Sequence, residues 1–221
     1  MTGTLGDIVT TLFGENTQTV DIIILLTLLT LLPSILLMLT GFTRILIVLS
    51  FVRNALGMQQ TPPNQVLIGL ALFLTFFVMQ PVFDKVNTEA YTPFVEGEIA
   101  QDEFIEKAMD PIRDFMFECT YDSDLTFFSN ISAGEYEDEA SIPNSVLIPA
   151  FLTSEIKHAF WIGFVIYIPF IVIDMIVAST LMAMGMMMLP PAMISLPFKV
   201  LLFVMVDGWQ LIIGSLVGSF H

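Results

Sequence analysis

Two carboxylates stand inside otherwise uncharged stretches: Asp174, midway through Ala159–Leu189, and Asp207, within Val200–Phe220. An unpaired charge at the centre of a bilayer costs at least about 2.5–3.5 kcal/mol on insertion scales. Asp174 must therefore be neutral, hydrated or paired. Lys199 opens the next segment and supplies the opposite charge. Three readings follow: a structural Asp174–Lys199 ion pair, expected between subunits; a proton relay through Asp174; or a carboxylate solvated in a pore. No enzyme constellation accompanies them. The two histidines, His158 and His221, are far apart and lack a second ligand at metal spacing. There is no glycine-rich phosphate loop ending in Lys and Ser/Thr. No serine in an apolar segment has a His or Lys base beside it. No cofactor or metal is expected.

A different chemistry is written between residues 181 and 199. Met184, Met186, Met187 and Met188 cluster around Gly185 and ahead of Pro190 and Pro191, between two apolar runs. Methionine is unbranched, soft and polarizable, and it fills irregular space. Such a cluster suits a deformable seal in a pore; the plainer reading is packing between helices. Asp207-Gly208-Trp209 reads as a helix kink with an interfacial tryptophan, or as a subunit contact in which Gly208 admits a neighbour's backbone. Arg53, Gln59, Gln60, Pro62, Pro63, Asn64 and Gln65 form a stiff polar tip. It is either an ordinary hairpin loop or a docking surface for a cytoplasmic partner.

The elements that must position these groups are apolar. Of 221 residues 55% are hydrophobic and 13% charged, where an ordinary soluble domain carries about 25% charge. This is the composition of an integral membrane protein. Ile22–Thr43 is long enough to span. Arg44 separates it from a second apolar piece, Ile45–Val52. Val66–Phe83, Ala159–Leu189 and Val200–Phe220 follow, giving four candidate spans in two hairpins. The expected fold is all-α: two long broken helical hairpins with a small acidic helical insert between them. The expected divisions are 1–21 (N-terminal segment), 22–83 (first hairpin), 84–158 (acidic insert) and 159–221 (second hairpin). Pro33, Gly41, Gly69, Pro81, Pro169 and Gly185 interrupt the spans, so the helices should be packed against protein rather than bathed in lipid. Gly214 and Gly218 form a GxxxG, weak evidence for close helix approach.

The net charge is −15, and 16 of the 22 acids lie between 84 and 145. Nucleic acid is disfavoured as a partner. Short-loop bases are Arg53 and Lys199, whereas the first 21 residues carry acids only. Both hairpin tips are accordingly expected at the cytoplasmic side, with both termini and the insert outside. The first segment lacks the basic start of a signal peptide and is expected to be retained. Cys119 is the only cysteine, which leaves no intrachain disulfide. Within the insert, Phe104 to Cys119 follow helical spacing, with Asp110-Pro111 able to restart a helix, so either one kinked helix or two short ones are expected. Tyr121–Phe128 adds another turn, and 132–143 reads as a loop that matches no calcium site.

Three strings carry a resemblance. Phe51-Val-Arg-Asn-Ala-Leu-Gly-Met-Gln-Gln-Thr-Pro-Pro-Asn-Gln-Val-Leu-Ile-Gly-Leu-Ala-Leu-Phe-Leu74, Pro149-Ala-Phe-Leu-Thr-Ser-Glu-Ile-Lys157 through Gly163, and Pro197-Phe-Lys-Val-Leu-Leu-Phe-Val-Met-Val-Asp-Gly-Trp209 resemble hallmarks of the FliP/SctR family of type III secretion export-gate proteins. The likeness covers about residues 20–220. Trp161 departs from the family's usual Lys, Arg or Gln, and Leu189–Pro197 is closer to the flagellar branch than to the injectisome branch. The resemblance implies a core subunit of the flagellar export gate in the bacterial inner membrane, at the flagellar basal body. It implies a pentamer with FliQ and FliR around a central conduit, with FlhB and FlhA nearby and unfolded flagellar proteins as cargo. The hairpins would stand largely lifted out of the membrane plane. Met184, Met186, Met187 and Met188 would form a gasket, and energy would come from the proton motive force. A small-solute or ion transporter subunit, and an assembly scaffold without a conduit, are the competing readings.

Overall fold

The computed structural model describes residues 26, 27, 29–31, 34, 35, 37–132, 134, 136, 141–186 and 188–220. Eight residues of the expected first span, Ile22–Thr43 (22–25, 28, 32, 33 and 36), and the whole 1–21 segment lie outside them, as do Met187 and His221. The described residues are helical and contain no strand. In order they form α1 (Phe42–Ala55), α2 (Asn64–Val86), a π-helical turn (Asn87–Tyr91), α3 (Thr92–Val95), α4 (Gln101–Glu118), α5 (Asp122–Ile131), α6 (Asn144–Ala183), α7 (Pro191–Met205) and α8 (Gly208–Gly218). The all-α expectation therefore holds.

The chain divides into two compact units. One comprises residues 1–39 and 81–115, and the other residues 40–80 and 116–221. The acidic stretch after residue 84 is thus shared between them. In the first unit, Phe94 stacks on Phe104 with ring centroids 4.7 Å apart, and Lys107 pairs with Glu103 one turn away at 2.9 Å. Asp110-Pro111 does not restart a helix: α4 runs through it as one element with Pro111 inside.

The second unit is organised by α1 against α6. Ile45, Val48, Leu49, Val52 and Ala55 are fully buried, at the three- and four-residue spacing that makes one helical face. Phe51 sits in a notch of α6 at Gly163, where an added Cβ would lie 2.6 Å from its ring. Phe160 and Tyr167 meet that ring edge-on, with centroids at 5.3 and 6.0 Å.

Among the described residues, two helical stretches, Asn64–Val95 and Asn144–Ala183, are long and apolar enough to cross a membrane. The bent pair α7–α8 makes a third if it is taken as one span. The sequence places breaks at Pro81 and Pro169, but α2 and α6 continue through both. A proline inside a helix removes one backbone bond, and the remaining ladder carries the helix on. Hydroxyls inside these apolar helices turn back on the preceding turn, as Thr75 does to the Ala71 carbonyl and Ser179 to that of Met175. The actual break is at Asp207, which has φ 50° and ψ 53°, and α8 departs from α7 at 66°. The helix of the third candidate span, α6, also starts earlier than expected. It begins at Asn144 rather than Ala159, because Glu155 and Lys157 find partners and so do not end the apolar segment.

Candidate functional site

The methionine loop is closed by backbone chemistry at both ends. Gly185 (φ 76°) donates its N–H to the Met182 carbonyl at 3.0 Å, and the Met186 N–H reaches the Leu181 carbonyl at 3.0 Å. That is the Schellman pattern, which needs a left-handed residue and so favours glycine. Pro190 is extended and Pro191 opens α7, where a missing N–H is harmless. Between these stops, Met184 and Met186 are exposed and Met188 is 99% exposed. A cavity of about 440 Å³ lies below, lined by Ile173, Ile176, Thr180, Leu181, Met184 and Phe198. Met187 lies outside the described residues.

Asp174 and Lys199 meet within one chain. Lys199 Nζ donates to Asp174 Oδ2 at 2.7 Å, and the Ser195 hydroxyl donates to Asp174 Oδ1 at 2.6 Å. Lys199 also donates to the Ala55 carbonyl at 3.2 Å. The ammonium is buried, while the carboxylate keeps 40% of its surface. The two legs of the methionine loop, α6 and α7, are therefore pinned to each other and to the end of α1.

At the first tip, Gly57 (φ 78°) ends α1 by the same two-bond pattern. Arg53 Nη1 donates to Asn64 Oδ1 at 2.5 Å and to the Pro62 carbonyl at 3.3 Å. Gln60 and Pro63 remain exposed beyond this tie, and Pro62 is half-buried. At the α7–α8 break, the space beside buried Gly208 is filled by this chain's own Phe203 ring. Trp209 meets Phe203 edge-on at 5.4 Å, and Asp207 is exposed.

A profile of the FliP family matches residues 25–216. The chain belongs to the FliP family. A flagellar biosynthetic protein FliP of Pectobacterium carotovorum subsp. carotovorum is 56% identical over 206 residues, covering 93% of this chain and 80% of the relative. That of Bacillus subtilis strain 168 is 56% identical over 208 residues, covering 93% and 94%. That of Aquifex aeolicus is 47% identical over 211 residues, covering 94% and 88%.

Two further clusters in this FliP-family chain went unassigned from sequence. In the first, the Arg44 guanidinium (1% exposed) grips the fully buried Glu155 carboxylate through Nη2 and Nε, the latter at 3.1 Å. Its Nη1 donates to the Ser219 carbonyl at 2.7 Å, and its plane lies 4.0 Å above the Phe220 ring. Cys119 lies close by, and burial followed by the charge of Glu155 pushes its thiol up to about 12. In the second, the Tyr121 N–H donates to Ser154 Oγ at 3.0 Å, and Ser154 donates to Asp124 Oδ2 at 2.8 Å. Lys157 pairs with Asp124, and His158 stacks on Tyr121 with centroids 4.3 Å apart. Burial works against the Asp124 charge, but the Lys157 and Ser154 hydrogen bonds prevail and hold its carboxyl below the usual range. The available signal was the run Ser154-Glu155-Ile156-Lys157-His158 itself, since charges facing an apolar core must be paired there. Among the described residues no group of His, Cys, Asp and Glu could hold a metal ion.

Proposed function

We propose that this chain is a core subunit of the flagellar type III export gate and that Met184, Met186, Met187 and Met188 act as a gasket across a shared conduit. The observation that carries this is Met188. A large apolar side chain with 99% exposure, on a loop bounded by the Gly185 stop and the Pro190-Pro191 pair, with Met184 and Met186 exposed beside it, supports contact with another surface. Membership of the FliP family and the names of its relatives point the same way. The partners are further copies of this chain, a pentamer by family resemblance, together with FliQ and FliR and, beyond them, FlhB and FlhA. The cargo is unfolded flagellar protein, the setting is the inner membrane, and the work is gated passage rather than bond chemistry. Both hairpin tips face the cytoplasm, and the Arg53–Asn64 tip with Gln60, Pro62 and Pro63 is the docking surface on that side. Asp207 and Trp209 are exposed and belong to the face offered to a neighbouring subunit, whereas Gly208 is closed off by Phe203 and admits no neighbour's backbone.

Thioether chains suit this work because they pack against varied sequences without a fixed binding geometry. A small-solute carrier would want Asp174 available to its cargo, yet both of its oxygens are engaged by Lys199 and Ser195. The test is to replace Met186 and Met188 by alanine in the assembled particle. Assembly should persist and permeability to small ions should rise. Unchanged permeability in an assembled particle would remove the gasket.

A further inference from the structure

We infer that Lys199 couples the 57–63 tip to the methionine loop, acting as a strut between the two hairpins as well as a counter-charge for Asp174. The inference rests on the gate reading above and adds a regulatory contact to it. Its basis is the second hydrogen bond of the ammonium. Ala55 is the last residue of α1, and its carbonyl is one of the four that a helix leaves without an internal partner. A cation placed there also meets the negative end of the helix dipole. Lys199 fills that position from α7 and is buried in doing so. From the same nitrogen it holds Asp174 on α6, and Ser195, one turn earlier on α7, holds the other carboxylate oxygen.

The contact reaches the tip directly. Ala55 is two residues from Gly57, the residue that turns the chain into the tip. The Cβ position of Gly57 lies 4.0 Å from Leu196 of α7, three residues before Lys199. Arg53, on the last turn of α1, ties that turn to Asn64 and Pro62 on the far side of the tip. A load on residues 57–63 therefore bears on the end of α1, and the end of α1 bears on the clamp between the loop's two legs. A lysine needed only to neutralise Asp174 could have been placed anywhere around that carboxylate. This one sits where it also closes α1.

The experiment is a double-mutant cycle read at the loop in the assembled particle. Met188→Cys is labelled with a maleimide. Native Cys119 stays silent, because it is buried and its thiol is pushed up to about 12. Arg53→Ala, which frees the tip, should raise the Met188→Cys labelling rate by about fivefold, the lower end for coupled sites. In Asp174→Asn/Lys199→Met, which leaves no buried charge unpaired, the same Arg53→Ala change should move the rate by less than about twofold. Asp174→Asn alone keeps the Ala55 contact and should keep the response. If the neutral pair does not assemble, Lys199→Arg takes its place. Its longer fork keeps the ion pair but changes the approach to Ala55, so the response should still fall. An undiminished response to Arg53→Ala in either Lys199 background overturns the strut. Failure of the gasket would appear separately, as unchanged ion leakage in the alanine variants, and leaves the labelling cycle readable.

Discussion

At the scale of single residues, the second unit joins its charges in pairs across its helices. Arg44 spends its guanidinium on Glu155, Ser219 and Phe220, all within the interior. Removing one partner of a buried pair strands the other and costs about 3–5 kcal/mol, whereas replacing both with apolar groups is often neutral or stabilising. Arg44→Met or Glu155→Leu should therefore lower the melting temperature of the purified particle sharply. The double change Arg44→Met/Glu155→Leu should recover much of that loss. Asp124 gives a pH prediction. Its folded carboxyl titrates below the unfolded value of about 3.9. Its contribution is thus fully present above that value and fades as pH falls through the lower, folded one. Limited proteolysis between α5 and α6 should accelerate on acidification in that range. Asp124→Asn should cut the dependence on pH and leave cleavage faster at neutral pH.

Elements were legible where local pattern decides them and obscure where a distant partner does. The glycine and proline punctuation around the methionines is local, and it placed the loop between α6 and α7. The apolar period of α1 is local too. The start of α6 was hidden because Glu155 and Lys157 look like the end of a span until Arg44 and Asp124 are seen beside them. Pro81 and Pro169 look like breaks and are not, whereas the kink read at Asp207-Gly208-Trp209 is present, carried by a left-handed Asp207. Charge alone pairs Asp174 with Lys199 but points to a neighbouring subunit, whereas the pair forms within one chain, and the Ala55 carbonyl is not foreseeable, since a backbone acceptor leaves no mark in the sequence. The packing of α1 on α6 yields a prediction at this scale. Gly163→Ala puts a methyl against the Phe51 ring and should destabilise the contact by about 1–3 kcal/mol. Phe51→Leu in the same chain should restore part of it, as read by thermal melting.

For the whole molecule, the outward surface is the telling property. Phe73, Phe76 and Phe77 on α2, Phe160, Trp161 and Phe164 on α6, and Val204 and Met205 on α7 are all exposed. Surfaces of this kind belong against lipid or against other subunits. The protein should therefore fractionate with membranes, leave them only with detergent, and run as a particle several times its 24.6 kDa mass. Light scattering of the extract would check this, and a stable monomer would contradict it. One mechanical fact follows from the unbroken length of α6. Glu155 and Met184 sit on the same rod, 29 residues or about 44 Å apart along its axis. A lean of about 5° pivoted at the buried arginine end sweeps the far end through about 4 Å, roughly the breadth of a thioether chain. On the gate reading proposed above, a slight rocking of this longest beam would trim the aperture with no hydrogen bond in that beam undone.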